Sequence, residues 1–179
     1  MDYEIIYSKR KTVSLKVTDG GLVVHAPRGL SRERIDTFVK KHEEWAKRRL
    51  SEVRREEAFF NSLSASDIRD MRELARETLT KKTRLYSNIM GLSYGKITVT
   101  SAKKRFGSCS SCGNISYSYR LMAYPDRAVD YVVVHELCHL VHMNHSREFY
   151  ALLGKILPDY KERRALLKLG GEKERQGEK

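Results

Sequence analysis

No stretch of the chain approaches the ~20 consecutive apolar residues of a membrane-spanning helix, so no membrane association is expected. The opening Met1-Asp2-Tyr3-Glu4 lacks the basic-then-apolar order of a secretion signal, and the expected location is the cytoplasm. Cysteine is scarce, with three residues in 179. In that compartment they read as thiols rather than a disulfide framework. Cys109-x-x-Cys112 has no second pair to complete a zinc ribbon and no β-α-β pattern of the thioredoxin kind around it, and Cys138 reads as a packed thiol. A Gly-rich phosphate loop of the Walker type is also missing, which counts against a nucleotide-cleaving enzyme. Acidic residues are few, 23 against 35 basic ones, leaving a net charge of +12.

What is present begins with that basic excess, which is uneven. Between Arg76 and Arg105, eight basic residues face Glu77 alone. Such a field could hold nucleotide phosphates, nucleic acid or an acidic protein, although a solvated basic surface is at least as good an account. With 40% hydrophobic residues, the chain can bury a substantial core.

One stretch states a chemistry. In Val134-His135-Glu136-Leu137-Cys138-His139, the two histidines are four apart, so on a helix they share a face and can aim at one cation. Glu136 lies about 100° further round, placed to act as a general base on an activated water. Catalytic zinc usually takes three protein ligands. His142 continues the helical face but sits ~10.5 Å along the axis from His135, too far to share an ion. His145 follows Asn144, a residue that tolerates the left-handed turn ending many helices, so the expected ligands are His135, His139 and His145. Val129, Val133, Leu137, Leu140 and Val141 form the expected apolar stripe opposite.

Strands are expected over residues 3–7, 11–17 and 22–26, with a turn at Asp19-Gly20-Gly21, followed by a helix capped by Ser31 that carries Ile35, Phe38, Val39, His42, Trp45 and Ala46. A charged, then Ser-rich passage over about 54–66 reads as a junction. Ser64 and Asp67 form a capping arrangement for a helix ending near Gly91, with Ile68, Met71, Leu74, Ala75, Leu79, Leu85, Tyr86 and Ile89 on its apolar face. Residues 96–101 and 114–122 are expected strands. The second alternates Ile115, Tyr117, Tyr119 and Leu121 against Ser116, Ser118 and Arg120, and could receive an extended peptide along its edge. Helices are expected over 146–157, capped by Ser146, and from Pro158-Asp159 to about Leu169. The expected divisions are 1–60, a β-hairpin and helix subdomain; 61–171, the catalytic part; and 172–179, a disordered charged tail. The element order is α+β.

Several segments together resemble the YgjP-like family of small zinc-dependent hydrolases, related to the SprT-like and Wss1-like metallopeptidases. They are Arg105-Phe-Gly-Ser-Cys-Ser-Ser-Cys-Gly-Asn-Ile-Ser, Asp130-Tyr-Val-Val-Val-His-Glu-Leu-Cys-His, Met143-Asn-His-Ser and Leu157-Pro-Asp-Tyr-Lys-Glu-Arg-Arg, with Trp45 and Ala26-Pro27-Arg28-Gly29-Leu30 in support. Phe106 stands where the family often has Trp, and Cys112 where it often has a basic residue. The resemblance implies a minimal zincin-like core with zinc on His135, His139 and His145, and Glu136 as base. The expected activity is cleavage of extended or unfolded polypeptide. A metal-dependent nucleoside triphosphate pyrophosphohydrolase and a protease recruited to DNA through the basic patch are the alternatives. Tyr117, Tyr119, Arg120 and His142 are candidates to share the charge developing on the substrate.

Overall fold

The structure, a computed structural model, describes residues 1–18 and 20–167. The expected charged tail, 172–179, lies outside the described residues, while the last helix, expected to reach about Leu169, ends at Ala165. The fold is α+β, in two compact units, Met1–Ser62 and the residues from Leu63 on. No helix among the described residues is long and apolar enough to cross a membrane.

In the first unit, β1 (Tyr3–Ser8), β2 (Ser14–Thr18) and β3 (Gly21–Pro27) form a sheet of order β1-β3-β2. β2 and β3 make the expected hairpin, and β1 joins the far edge of β3 in parallel. Alternate β3 residues Leu22, Val24 and Ala26 are buried against Ile35, Val39 and Ala46 of the helices that follow, α1 (Arg32–Lys41) and α2 (Glu43–Ser62). The single expected helix is thus two. The chain breaks at His42, whose Nδ1 lies 2.8 Å from the Phe38 carbonyl. Ser31 holds the N-cap position with its backbone carbonyl, while its side chain makes no capping bond. The expected junction over 54–66 is also corrected, since α2 runs on to Ser62. Arg54-Arg55-Glu56-Glu57-Ala58 are good helix formers, and charge alone does not end a helix.

In the second unit, α3 (Ala65–Met90) opens on a complete capping box between Ser64 and Asp67 and closes on Gly91, whose φ is +64°. Its fully buried residues, Ala75, Leu79, Thr83 and Ser87, form a narrow stripe of mostly small side chains. Leu74, Leu85 and Ile89, expected inside, are more than half exposed. β4 (Ile97–Thr100), β5 (Gly107–Cys109) and β6 (Ile115–Ser118) form a sheet of order β4-β6-β5, with β4 parallel and β5 antiparallel to the central β6. The expected strand over 114–122 therefore stops at Ser118, where a 3₁₀ turn, Tyr119–Ala123, takes over. The Ser118 hydroxyl accepts from the Arg120 backbone N–H and starts that turn.

Next comes α4 (Asp126–Cys138), then α5 (Arg147–Ile156) and α6 (Tyr160–Ala165). Ser146 caps α5 through the Phe149 backbone N–H, as its sequence suggested. α4 is enclosed nearly all round: Ala128, Val129, Tyr131, Val132, Val133, Val134, Leu137 and Cys138 are all buried. The expected stripe opposite the histidines is too simple, for this is a core helix rather than a one-sided surface one, and Val141 lies beyond its end, half exposed. Ionic contacts anchor its first turns. Asp130 meets Lys82 Nζ at 2.6 Å and Arg163 at 3.1 Å, and Arg163 reaches Asp159 at 2.7 Å, tying α3, α4 and α6 together.

Candidate metal centre

α4 carries His135 and Glu136 in its last turn, and its C-cap is His139. Turn bonds from the Leu140, Val141 and His142 N–H groups back to Leu137 and Cys138 then bring the chain round. The return to His145 needs no left-handed Asn144, because no non-glycine residue among those described has positive φ. The helix simply ends earlier than the spacing suggested.

The rings of His135, His139 and His145 stand at the corners of a nearly equilateral triangle, with centroids 4.8 to 4.9 Å apart. Phe149, fully buried, lies 4.7 to 4.9 Å from each of them and forms the floor of the site. One nitrogen from each imidazole falls within 4.8 Å of the others. His135 Nε2 and His145 Nε2 are 3.0 Å apart, close to the ~3.3 Å that two nitrogens at about 2.0–2.1 Å from one tetrahedral ion would keep. Two of the rings are oriented from behind. His139 Nδ1 lies 3.0 Å from the His142 carbonyl and must donate its proton there, leaving Nε2 as a lone pair. His135 Nδ1 faces the Tyr131 hydroxyl at 3.5 Å. Burial, then the neighbouring His139 and His145, hold the His135 imidazolium down to about 4, and burial also lowers that of His139. Both rings are therefore neutral at pH 7, the form that binds a metal. These donors suit a divalent ion.

Glu136 turns from the histidine face toward β5, where its carboxylate lies over Gly107. It is 5% exposed, and its Oε2 has no hydrogen-bond partner among the described residues, a state a buried carboxylate rarely keeps without a further ligand or water. Burial pushes its pKa up to about 7, with the nearby Arg105 charge pulling the other way. Burial and then Glu136 also raise the Cys109 thiol, leaving it protonated.

The candidate charge-sharing residues fare unevenly. Tyr117 is fully buried with its hydroxyl 3.0 Å from Thr83, so it packs in the core rather than facing a substrate. Tyr119 is also buried, its ring beneath the Arg72 guanidinium. Arg120 is buried as well. His142 lends its backbone carbonyl to His139. The expected peptide-receiving edge is corrected too, since β6 is the central strand with both edges occupied. Three residues escaped the sequence reading: Phe149, seen only as an apolar helix position; Gly107; and Tyr131, whose place four residues before His135 on one helix face was legible.

A buried helix bearing His-Glu-x-x-His beside a small mixed sheet, with a third histidine folded back onto it, defines a metallopeptidase-type hydrolase core. The chain belongs to the YgjP-like family, whose metallopeptidase-domain model matches residues 11–70 and 61–169. The family implies a bound metal ion. No curated protein matches the chain. Among similar solved structures is the metallopeptidase zymogen abylysin of Pyrococcus abyssi, at 21% identity, covering 50% of this chain and 90% of its own, with a TM-score of 0.46.

Proposed function

We propose that this protein is a zinc-dependent peptidase acting on extended or unfolded polypeptide, with His135, His139 and His145 as ligands and Glu136 as general base. The observation that carries the reading is the triangle of imidazoles beside a buried carboxylate with an unpartnered oxygen. Zinc bound by the three histidines would supply a Lewis acid for the scissile carbonyl and acidify water at the site. Glu136 takes a proton from the attacking water and returns it to the leaving amine. The substrate backbone has a place to pair. Phe106 accepts from the Ser118 N–H and Ser110 donates to Asn114, so in this antiparallel ladder the backbone groups of Gly107 and Cys109 point away from β6, toward the free edge of β5. A peptide added there would lie beside Glu136 and would be gripped by its backbone, with little demand on sequence.

Within the basic segment, Lys82 is already engaged by Asp126 and Asp130, which reduces what remains for a phosphate chain. Side-by-side assays of the zinc-loaded protein and its Glu136→Gln variant on an unfolded polypeptide and on nucleoside triphosphates test the reading. The expected outcome is cleavage of the polypeptide alone, reduced about 10²- to 10⁴-fold in Glu136→Gln with zinc retained. Base-dependent hydrolysis of triphosphates without peptide cleavage would replace it.

A further inference from the structure

We infer that Gly107 is a positioning residue for Glu136: the lack of a side chain at this place in β5 is what lets the carboxylate lie against the strand. A Cβ built on Gly107 would stand 2.5 Å from Glu136 Oε1, 2.7 Å from Cγ and 2.8 Å from Cδ. Real Cβ atoms do not come so close to heavy atoms, and the clash reaches Cγ near the root of the side chain, so swinging the tip aside would not relieve it. Backbone conformation offers no other reason for glycine here. Among the described residues the glycines with positive φ are Gly21, Gly29, Gly91 and Gly113, and Gly107 is not one of them. Inside a strand, glycine weakens pairing and marks the close approach of another group. The approaching group is the catalytic carboxylate. Gly107 also turns its own N–H and C=O to the free edge of β5, so one residue sets both the base and the backbone track beside it.

This inference rests on Glu136 being the base, and its test separates the two ideas. In the full chain, Gly107→Ala should retain one zinc and a KM within about twofold, while kcat falls by about ten- to a hundredfold because the base is displaced by a fraction of its reach. Its Tm should fall by about 5 °C from overpacking. In a Glu136→Ala background the same substitution should leave Tm unchanged or raise it, because the methyl group occupies the space that the carboxylate left. This stability cycle needs no substrate and can be read even if peptides are not cleaved. If Gly107→Ala alone does not fold, recovery of folding in Gly107→Ala/Glu136→Ala carries the point. Wild-type kcat in Gly107→Ala, an equal Tm loss in both backgrounds, or a double variant that still fails to fold would overturn it.

Discussion

His142 stands beside the triangle of imidazoles and touches it through its backbone. α4 stops at Cys138, so His142 never continues the helical face. Its backbone carbonyl instead accepts the hydrogen bond from His139 Nδ1–H. That role belongs to the backbone and survives loss of the imidazole. His142→Ala should therefore keep one zinc per chain, with affinity within about tenfold, the lower end of outer-shell effects. His135→Ala removes one corner of the triangle of imidazoles and should leave the protein without stoichiometric zinc. Elemental analysis after dialysis measures both, and a full complement of zinc in His135→Ala would exclude that histidine as a ligand. The pairing of His135 with His139 was legible because helical spacing alone brings residues four apart together. Phe149 and Gly107 were not, since their importance comes from what folds against them: three rings on one, a carboxylate on the other.

Elements whose boundaries depend on local chemistry were readable, and those bounded by tertiary packing were not. The Ser64 capping box and the Gly91 terminus of α3 are written in the residues themselves. By contrast, the alternation from Ile115 to Leu121 continues past the end of β6, because the 3₁₀ turn also buries Tyr119 and Leu121. Both conformations satisfy the same hydrophobic demand. The ionic seam joining α4 to α6 was equally invisible, being assembled from residues 33 positions apart. Within it, Asp159 accepts from Arg163 at 2.7 Å and from Arg127 at 2.6 Å, and these guanidinium groups hold its carboxyl down to about 2. In the unfolded chain the same group titrates near 3.9. A carboxyl whose folded pKa is depressed stabilises the fold fully above its unfolded value and ceases to do so as pH falls through the folded one. The contribution should thus be lost between about pH 4 and about pH 2. Asp159→Asn should lower Tm at pH 6 and narrow its gap to the wild type progressively over that interval. A constant gap from pH 6 to pH 2 would show that the pair contributes nothing through charge.

At the scale of the molecule, the two hydrophobic clusters share no residue. One contains Leu22, Val24, Ala26, Ile35, Val39 and Ala46; the other is built on α4 with Ile115, Tyr117, Phe149 and Leu153. Every proposed ligand, the proposed base, Gly107 and the ionic seam lie in the second unit. A cluster that packs on itself and caps its own first helix has what a domain needs to fold alone. The segment from Leu63 onward, expressed without the first sixty-two residues, should therefore unfold in one cooperative transition and bind one zinc. Its Tm should rise with free zinc, because a ligand held only by the folded state stabilises by mass action. The first unit then becomes a question of substrate handling rather than of chemistry. If the shorter chain binds zinc and cleaves a short peptide as fast as the full protein yet handles a long unfolded polypeptide poorly, the N-terminal sheet takes part in substrate capture. A shortened chain that fails to fold in the presence of zinc would mean that the second cluster, for all its internal packing, depends on the first.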